Sequence, residues 1–232
     1  MPAATRTRGT ATGSASRARA WVVRLAAARP PTRPVSVSVV VPATDARHVD
    51  RLLQSLTSAC RQHLAPEVVV VDDREGIDPP LRFDSPLPVR VVRSGGVGKS
   101  VARNVGMRAA SAEWVVVLDE DQTVGTAWFE ELVSDLAHAG RAVAGVAAVV
   151  VAASPETVRL GADVAYRRLV ALSLGGFPNR FPRGTGHDDV ELALRMARAG
   201  WTVTSGRRNA ALPPQQRGVM VLEPSTSTGV VR

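Results

Sequence analysis

Three consecutive carboxylates, Asp119-Glu120-Asp121, follow directly on the apolar run Trp114 to Leu118. Repulsion within such a group has to be offset by cations. Hard oxygen ligands in this number suit Mg2+ or Mn2+, and a metal that keeps several waters would bridge naturally to a diphosphate. The bland alternative is a solvated acidic turn, against which stands the position immediately after a buried strand. Asp72-Asp73 closes a second apolar run, Val68 to Val71, where a carboxylate can accept hydrogen bonds from a nucleobase imide or from ribose hydroxyls. Asp188-Asp189 opens the stretch Asp-Asp-Val-Glu-Leu-Ala-Leu-Arg, ending at Arg195. Acids there suit the first turn of a helix. Gly175-Gly176-Phe177 and Gly184-Thr185-Gly186, which precede it, would let a carboxylate approach a substrate.

A rival chemistry lies in Ser94-Gly95-Gly96-Val97-Gly98-Lys99-Ser100, which looks like part of a phosphate-binding P-loop. The full pattern requires glycine at position 93, where the chain has Arg93, and the loop follows the third strand rather than the first. A P-loop NTPase is therefore the weaker alternative, and on that reading Lys99→Ala would cost nucleotide affinity that a different nucleotide-binding enzyme would keep.

The elements that must position these groups follow from periodicity. Val35 to Val41, Val68 to Val71, Val89 to Val92, Trp114 to Leu118, Val143 to Val151 and Trp201 to Thr204 predict strands. Arg47 to Gln62, Lys99 to Ala110, Trp128 to Ala139 and Asp188 to Ala199 predict helices. Strands alternating with helices define an α/β fold with a largely parallel sheet, whose ligands bind beyond the carboxyl ends of the strands. A chain of 232 residues with 45% hydrophobic side chains can bury one good core.

The formal charge of +8 invites a nucleic-acid reading, but it sits at the ends. Residues 1–33 carry seven arginines and no acid, residues 206–232 carry a net three positive charges, and residues 34–205 are left at −2. The expected organisation is a basic extension over 1–33, a single α/β domain over 34–205 and a low-complexity tail over 206–232, with no nucleic-acid partner. The arginine-rich ends would favour peripheral contact with an anionic membrane surface. The single cysteine, Cys60, excludes an internal disulfide and fits a reducing, cytoplasmic compartment. The longest apolar run, Ala142 to Ala153, is too short for a membrane-spanning helix.

Taken in order, several stretches resemble the inverting family 2 of nucleotide-sugar glycosyltransferases, which have the GT-A fold. They are Val39-Val40-Val41-Pro42, Val70-Val71-Asp72-Asp73, Gly98 to Gly106 with Ala102-Arg103-Asn104, and Leu118-Asp119-Glu120-Asp121. Ala162 to Arg168, Gly175-Gly176-Phe177, Asp188-Asp189 with Arg195, and Gly200-Trp201 complete the set. Thr44-Asp45 stands where the family often has Tyr-Asn, which removes one stacking surface for a base.

The resemblance implies a single GT-A domain built on a mixed, mostly parallel sheet flanked by helices. It implies transfer of a sugar from a nucleotide-sugar donor, most commonly a UDP-sugar, to a carbohydrate, lipid-linked or small-molecule acceptor. Asp189 would be the general base. Pro42, Thr44, Asp73, Arg103, Asp119 and Glu120 would bind the donor, and Asp121 with Asp119 would hold Mn2+ or Mg2+. Asp163, Arg168, Asp188 and Arg195 are secondary candidates. A GT-A domain acting only as a binding module is the other alternative.

Overall fold

The computed structural model describes residues 34–60, 65–76, 79–149, 163–178 and 188–209. The expectations for 1–33, for Gly184-Thr185-Gly186 and for residues 210–232 fall outside these segments. Seven strands form one sheet: β1 (Val37–Ala43), β2 (Glu67–Asp72), β3 (Val89–Arg93), β4 (Trp114–Val117), β5 (Val143–Val149), β6 (Val164–Arg167) and β7 (Thr202–Asn209). Five helices accompany them: α1 (Ala46–Ala59), α2 (Lys99–Ala109), α3 (Trp128–Ala137), α4 (Arg168–Ser173) and α5 (Asp188–Arg198).

The strand order is β3-β2-β1-β4-β6-β5-β7. β1 pairs in parallel with β2 and β4, β2 with β3, and β5 with β7, whereas β6 is antiparallel to both β4 and β5. Strand β6 alone therefore runs against the others, which is the mixed, mostly parallel sheet expected. All seven residues of β1 are buried, because helices cover both faces and leave no alternation of apolar and polar positions. On one face Val39 and Val41 meet Leu52 and Leu56 of α1 and Leu132 of α3. On the other, Val40 and Val69 meet Ala102 and Met107 of α2 and Leu192 and Met196 of α5. Helix α2 packs so closely that a Cβ at Gly106 would collide with Val40 and lie 2.8 Å from Val71.

Two elements, β6 and α4, have no counterpart in the periodicity reading. A third difference concerns the boundary at residue 206. The chain does not leave the fold there: β7 continues to Asn209, and Arg208 is fully buried. Its guanidinium donates to Asp163 Oδ1 at 3.0 Å, to Asp135 Oδ2 at 3.2 Å and to the carbonyl of Val146 at 2.9 Å. Residues 206–209 thus belong to the folded domain, held by charges 45 and 73 residues distant in sequence.

Candidate active site

The carboxyl ends of β1, β2 and β4 surround an open cleft of about 320 Å³, lined by Pro42, Ala43, Thr44, His48, Asp73, Lys99, Asp119, Glu120 and Asp121. Their adjacency follows from the strand register. β1 lies between β2 and β4, so the segments leaving all three emerge side by side.

Each acid at the cleft has a distinct task. Asp73 accepts from Ser94 Oγ at 2.6 Å and from the Gly98 amide at 3.1 Å, which fixes the glycine-rich turn before α2. Gly95, Gly96 and Gly98 all have positive φ, the backbone region that glycine enters without strain. Asp72, by contrast, is buried under a bidentate contact from Arg74, at 2.8 and 2.9 Å. Glu120 accepts from the amides of Thr44 and Asp45 at 2.8 and 2.9 Å and from Thr44 Oγ1 at 2.6 Å. It holds the segment after β1 against the segment after β4. The turn itself is closed by Gln122, whose amide donates to Asp119 O at 3.0 Å while its side chain accepts from the Asp119 amide at 2.7 Å.

Asp119 is the electrostatic centre. Lys99 Nζ lies 2.6 Å from its Oδ2, and Arg103 Nη2 lies 3.2 Å from its Oδ1. Burial raises the Asp119 pKa, but Arg103 and then Lys99 outweigh it and hold the carboxyl below its ordinary range. Arg103 is itself buried, with its guanidinium 5.2 Å from the ring centroid of Phe177, and its Nη1 lies 3.5 Å from Asp189 Oδ2. The other Asp189 oxygen accepts from Tyr166 Oη at 3.1 Å. Lys99, Asp119, Arg103, Asp189 and Tyr166 therefore form one continuous polar chain from the cleft into the interior. Burial raises the pKa of Asp189 above the usual carboxylate value, opposed by Arg103 and the Tyr166 hydroxyl.

The secondary candidates divide. Asp188, at the start of α5, accepts a short hydrogen bond from Ser100 Oγ, beside the cleft residue Lys99. Arg195 grips the turn after α4 through the carbonyls of Leu174, at 2.5 Å, and Gly176. Asn104 ties the same turn from the opposite side, donating to Phe177 O and accepting from the Phe177 amide, both at 2.8 Å. Arg168 does not reach the cleft: its Nε donates to the Ala112 carbonyl at 3.0 Å, before β4, a full strand length from Asp119. Asp163 does not line the cleft either: it is 1% exposed and accepts from Trp128 Nε1 at 2.7 Å and from Arg208.

The two members of the expected metal pair, Asp119 and Asp121, differ in their surroundings. Both oxygens of Asp119 carry cations and both of Glu120 hold backbone or hydroxyl donors, which leaves Asp121 as the open carboxylate of the triplet. Among the described residues no group of three or more His, Cys, Asp or Glu side chains is placed to hold a metal ion. Asp121 is therefore the carboxylate of the triplet that could hold a divalent ion from the cleft.

Sequence reasoning passed over His48, Tyr166 as a partner of Asp189, and Lys99 outside the P-loop alternative. The glycine turn belongs to the same cleft, with its Gly98 amide on Asp73, so Lys99→Ala no longer separates a P-loop protein from another nucleotide-binding enzyme.

Comparison with known proteins agrees with this architecture. The curated succinoglycan biosynthesis protein ExoO of Rhizobium meliloti is 33% identical over 134 residues, covering 55% of this chain and 38% of the relative. The hyaluronan synthase of Pasteurella multocida is 34% identical over 91 residues, 35% of this chain and 9% of the relative. The chain thus spans well under half the length of either. A mannosyltransferase from Pyrobaculum calidifontis, solved with GDP-Man and Mn2+, superimposes with a TM-score of 0.60 at 23% identity, over 83% of this chain and 61% of that one. Residues 1–349 of S. aureus TarS, solved with UDP-GlcNAc, give 0.52 at 17% identity, over 78% and 56%. These two structures share the fold. The sequence pattern of the family described as Glycosyl transferase family 2 matches residues 38–183, more than half of the chain and all of the cleft. The chain belongs to glycosyl transferase family 2.

Proposed function

We propose that the chain transfers a glycosyl group from a nucleotide-sugar donor to an acceptor hydroxyl, with inversion at the anomeric carbon. The observation that supports this best is the polar chain from the cleft carboxylate Asp119, through Arg103, to the buried Asp189. A donor and a base need to act on opposite sides of one anomeric carbon, and a rigid link between their sites keeps that geometry. The nucleoside part of the donor would lie along Pro42, Thr44 and Asp73, with its diphosphate toward Lys99 and Arg103.

In the reaction the acceptor oxygen attacks the anomeric carbon, a new C–O bond forms, and the bond to the diphosphate breaks. Asp189 accepts the acceptor's proton, and the electron pair leaves on the nucleoside diphosphate. A base needs to be ionised and yet stronger than an exposed carboxylate, and burial of Asp189 supplies the second property. The raised charge on the departing diphosphate would be met by Lys99, whose ammonium reaches the cleft beside Asp119. The family membership favours a UDP-sugar donor; the relative solved with GDP-Man makes GDP-sugars the next to test. No helix among the described residues is long and apolar enough to cross a membrane, and a lipid-linked acceptor would be met through the basic N-terminal extension.

The test is Asp189→Asn, assayed by release of nucleoside diphosphate from UDP- and GDP-sugars with a panel of acceptors. Loss of a positioned base costs about 10²- to 10⁴-fold in rate. Nucleoside diphosphate affinity should stay within a few-fold of wild type. Undiminished turnover in the variant contradicts the assignment of the base.

A further inference from the structure

Helix α5 begins with two adjacent carboxylates, and α2 meets both of them. Ser100 Oγ donates to Asp188 Oδ2, and Arg103 Nη1 lies 3.5 Å from Asp189 Oδ2. Ser100 and Arg103 are three residues apart, so they share one face of α2, one turn after the other. We propose that Ser100 is a positioning residue for the reaction: by holding Asp188 it fixes the start of α5, and with it the direction of the base Asp189. The inference rests on the transferase reading above and adds to it a residue outside the cleft lining that acts through the neighbour of the base.

Three observations support this role. First, the placement of Asp189 is demanding. It is buried, with one oxygen toward Arg103 of α2 and the other on the Tyr166 hydroxyl of β6, so both partners belong to elements other than its own. The 3.5 Å separation from Arg103 is at the long end of a hydrogen bond, and a small shift of the α5 start breaks it. Second, the other anchors of α5 lie further along the helix. Leu192 and Met196 are buried in the core, and Arg195 grips the carbonyls of Leu174 and Gly176. Arg195 is six residues beyond Asp189, roughly 9 Å along the axis at 1.5 Å per residue. Ser100 supplies a fastening at the end where the base stands. Third, Asp188 and Asp189 are like charges on neighbouring residues, and like charges compete for one cation. The Ser100 hydroxyl occupies Asp188, which leaves the Arg103 guanidinium to Asp189 and Asp119. Without that hydroxyl, Asp188 would be free to turn toward the same guanidinium and displace the base.

The experiment is steady-state turnover of UDP- and GDP-sugars with a panel of acceptors, together with calorimetric titration of UDP and GDP. It compares wild type, Ser100→Ala, Ser100→Thr, Asp188→Ala and the double variant Ser100→Ala/Asp188→Ala. The expected result for Ser100→Ala is a fall in kcat of about tenfold, as loss of one hydrogen bond to a charged group implies. Donor KM and nucleoside diphosphate affinity stay within about threefold of wild type. Ser100→Thr, which keeps the hydroxyl, restores most of the turnover. The double variant is no slower than Asp188→Ala alone, because Ser100 acts only through Asp188. Thermal melts check folding, and Asp188→Ala tests the same hydrogen bond from its other end.

Three results overturn the proposal while leaving the transferase reading standing: a Ser100→Ala variant that turns over like wild type, one whose loss lies in diphosphate affinity with kcat unchanged, or losses that add in the double variant. The second would make Ser100 a donor-binding group, and the third would give it a role independent of Asp188. A wild type that binds neither diphosphate and turns over neither sugar donor removes the transferase reading itself, and this inference with it.

Discussion

Asp189 and Tyr166 form a buried acid–base pair whose behaviour is set by solvent exclusion. Burial raises Asp189, while Arg103 and the hydrogen bond from Tyr166 pull it back. Burial and then the Asp189 charge raise Tyr166 well above the ordinary phenol value, so its hydroxyl stays protonated and donating. Tyr166→Phe deletes one of the influences that lower the Asp189 pKa. The acid limb of the kcat/KM profile should therefore shift to higher pH in the variant, and a limb that stays in place would show that the hydroxyl does not act on Asp189. Individual acids such as Asp73, Asp119 and Asp189 were legible in the sequence because each follows or opens an element with clear periodicity. Their partners were not. Lys99 meets Asp119 across 20 residues and Tyr166 meets Asp189 across 23, and such pairings are created only by tertiary packing.

Strand β7 and helix α3 depend on one arginine. Arg208 satisfies Asp135 from α3, Asp163 ahead of β6 and the Val146 carbonyl of β5, with the Asp163 and Val146 contacts fully buried. Arg208→Met would leave two buried carboxylates uncompensated, at a cost of about 3–5 kcal/mol measured by chemical denaturation. A smaller loss, near that of a surface substitution, would mean that water reaches the pair. Elements with long apolar runs were readable to within a few residues, as β2 and α2 show. β6 escaped because it has four residues and ends in Arg167, whose guanidinium lies 4.4 Å from the Trp114 ring centroid instead of in solvent. The end of β7 escaped because Ser205-Gly206-Arg207-Arg208 carries no apolar signal, and its burial is decided by remote charges.

At the scale of the whole molecule, the sheet has a functional end and a structural end. Opposite the cleft, Glu67 of β2 accepts from Ser38 of β1 at 2.7 Å, from Arg90 of β3 at 2.8 Å and from the Ser111 amide after α2 at 2.9 Å. Burial opposes ionisation of Glu67, but these hydrogen bonds outweigh it and hold the pKa at about 2, against an ordinary 4.5. A depressed carboxyl contributes stability that is present above its unfolded pKa and lost as pH falls through the folded one. Glu67→Gln should therefore be less stable than wild type at neutral pH, with the gap closing between pH 4.5 and about 2. Thermal melts across that range check it, and a gap independent of pH would assign the loss to packing. The fold class was legible at this scale because alternation of strand and helix survives any local error in boundaries.

A single lysine has a further consequence for chemical modification. Acylating reagents that seek ε-amines find one target in this chain, and it stands at the mouth of the cleft with half its surface open. A fluorophore attached there would report occupancy directly, and a bound anion would shield the amine from the reagent. The arginine-rich remainder of the surface, inert to the same chemistry, leaves the label nowhere else to go but a free α-amine.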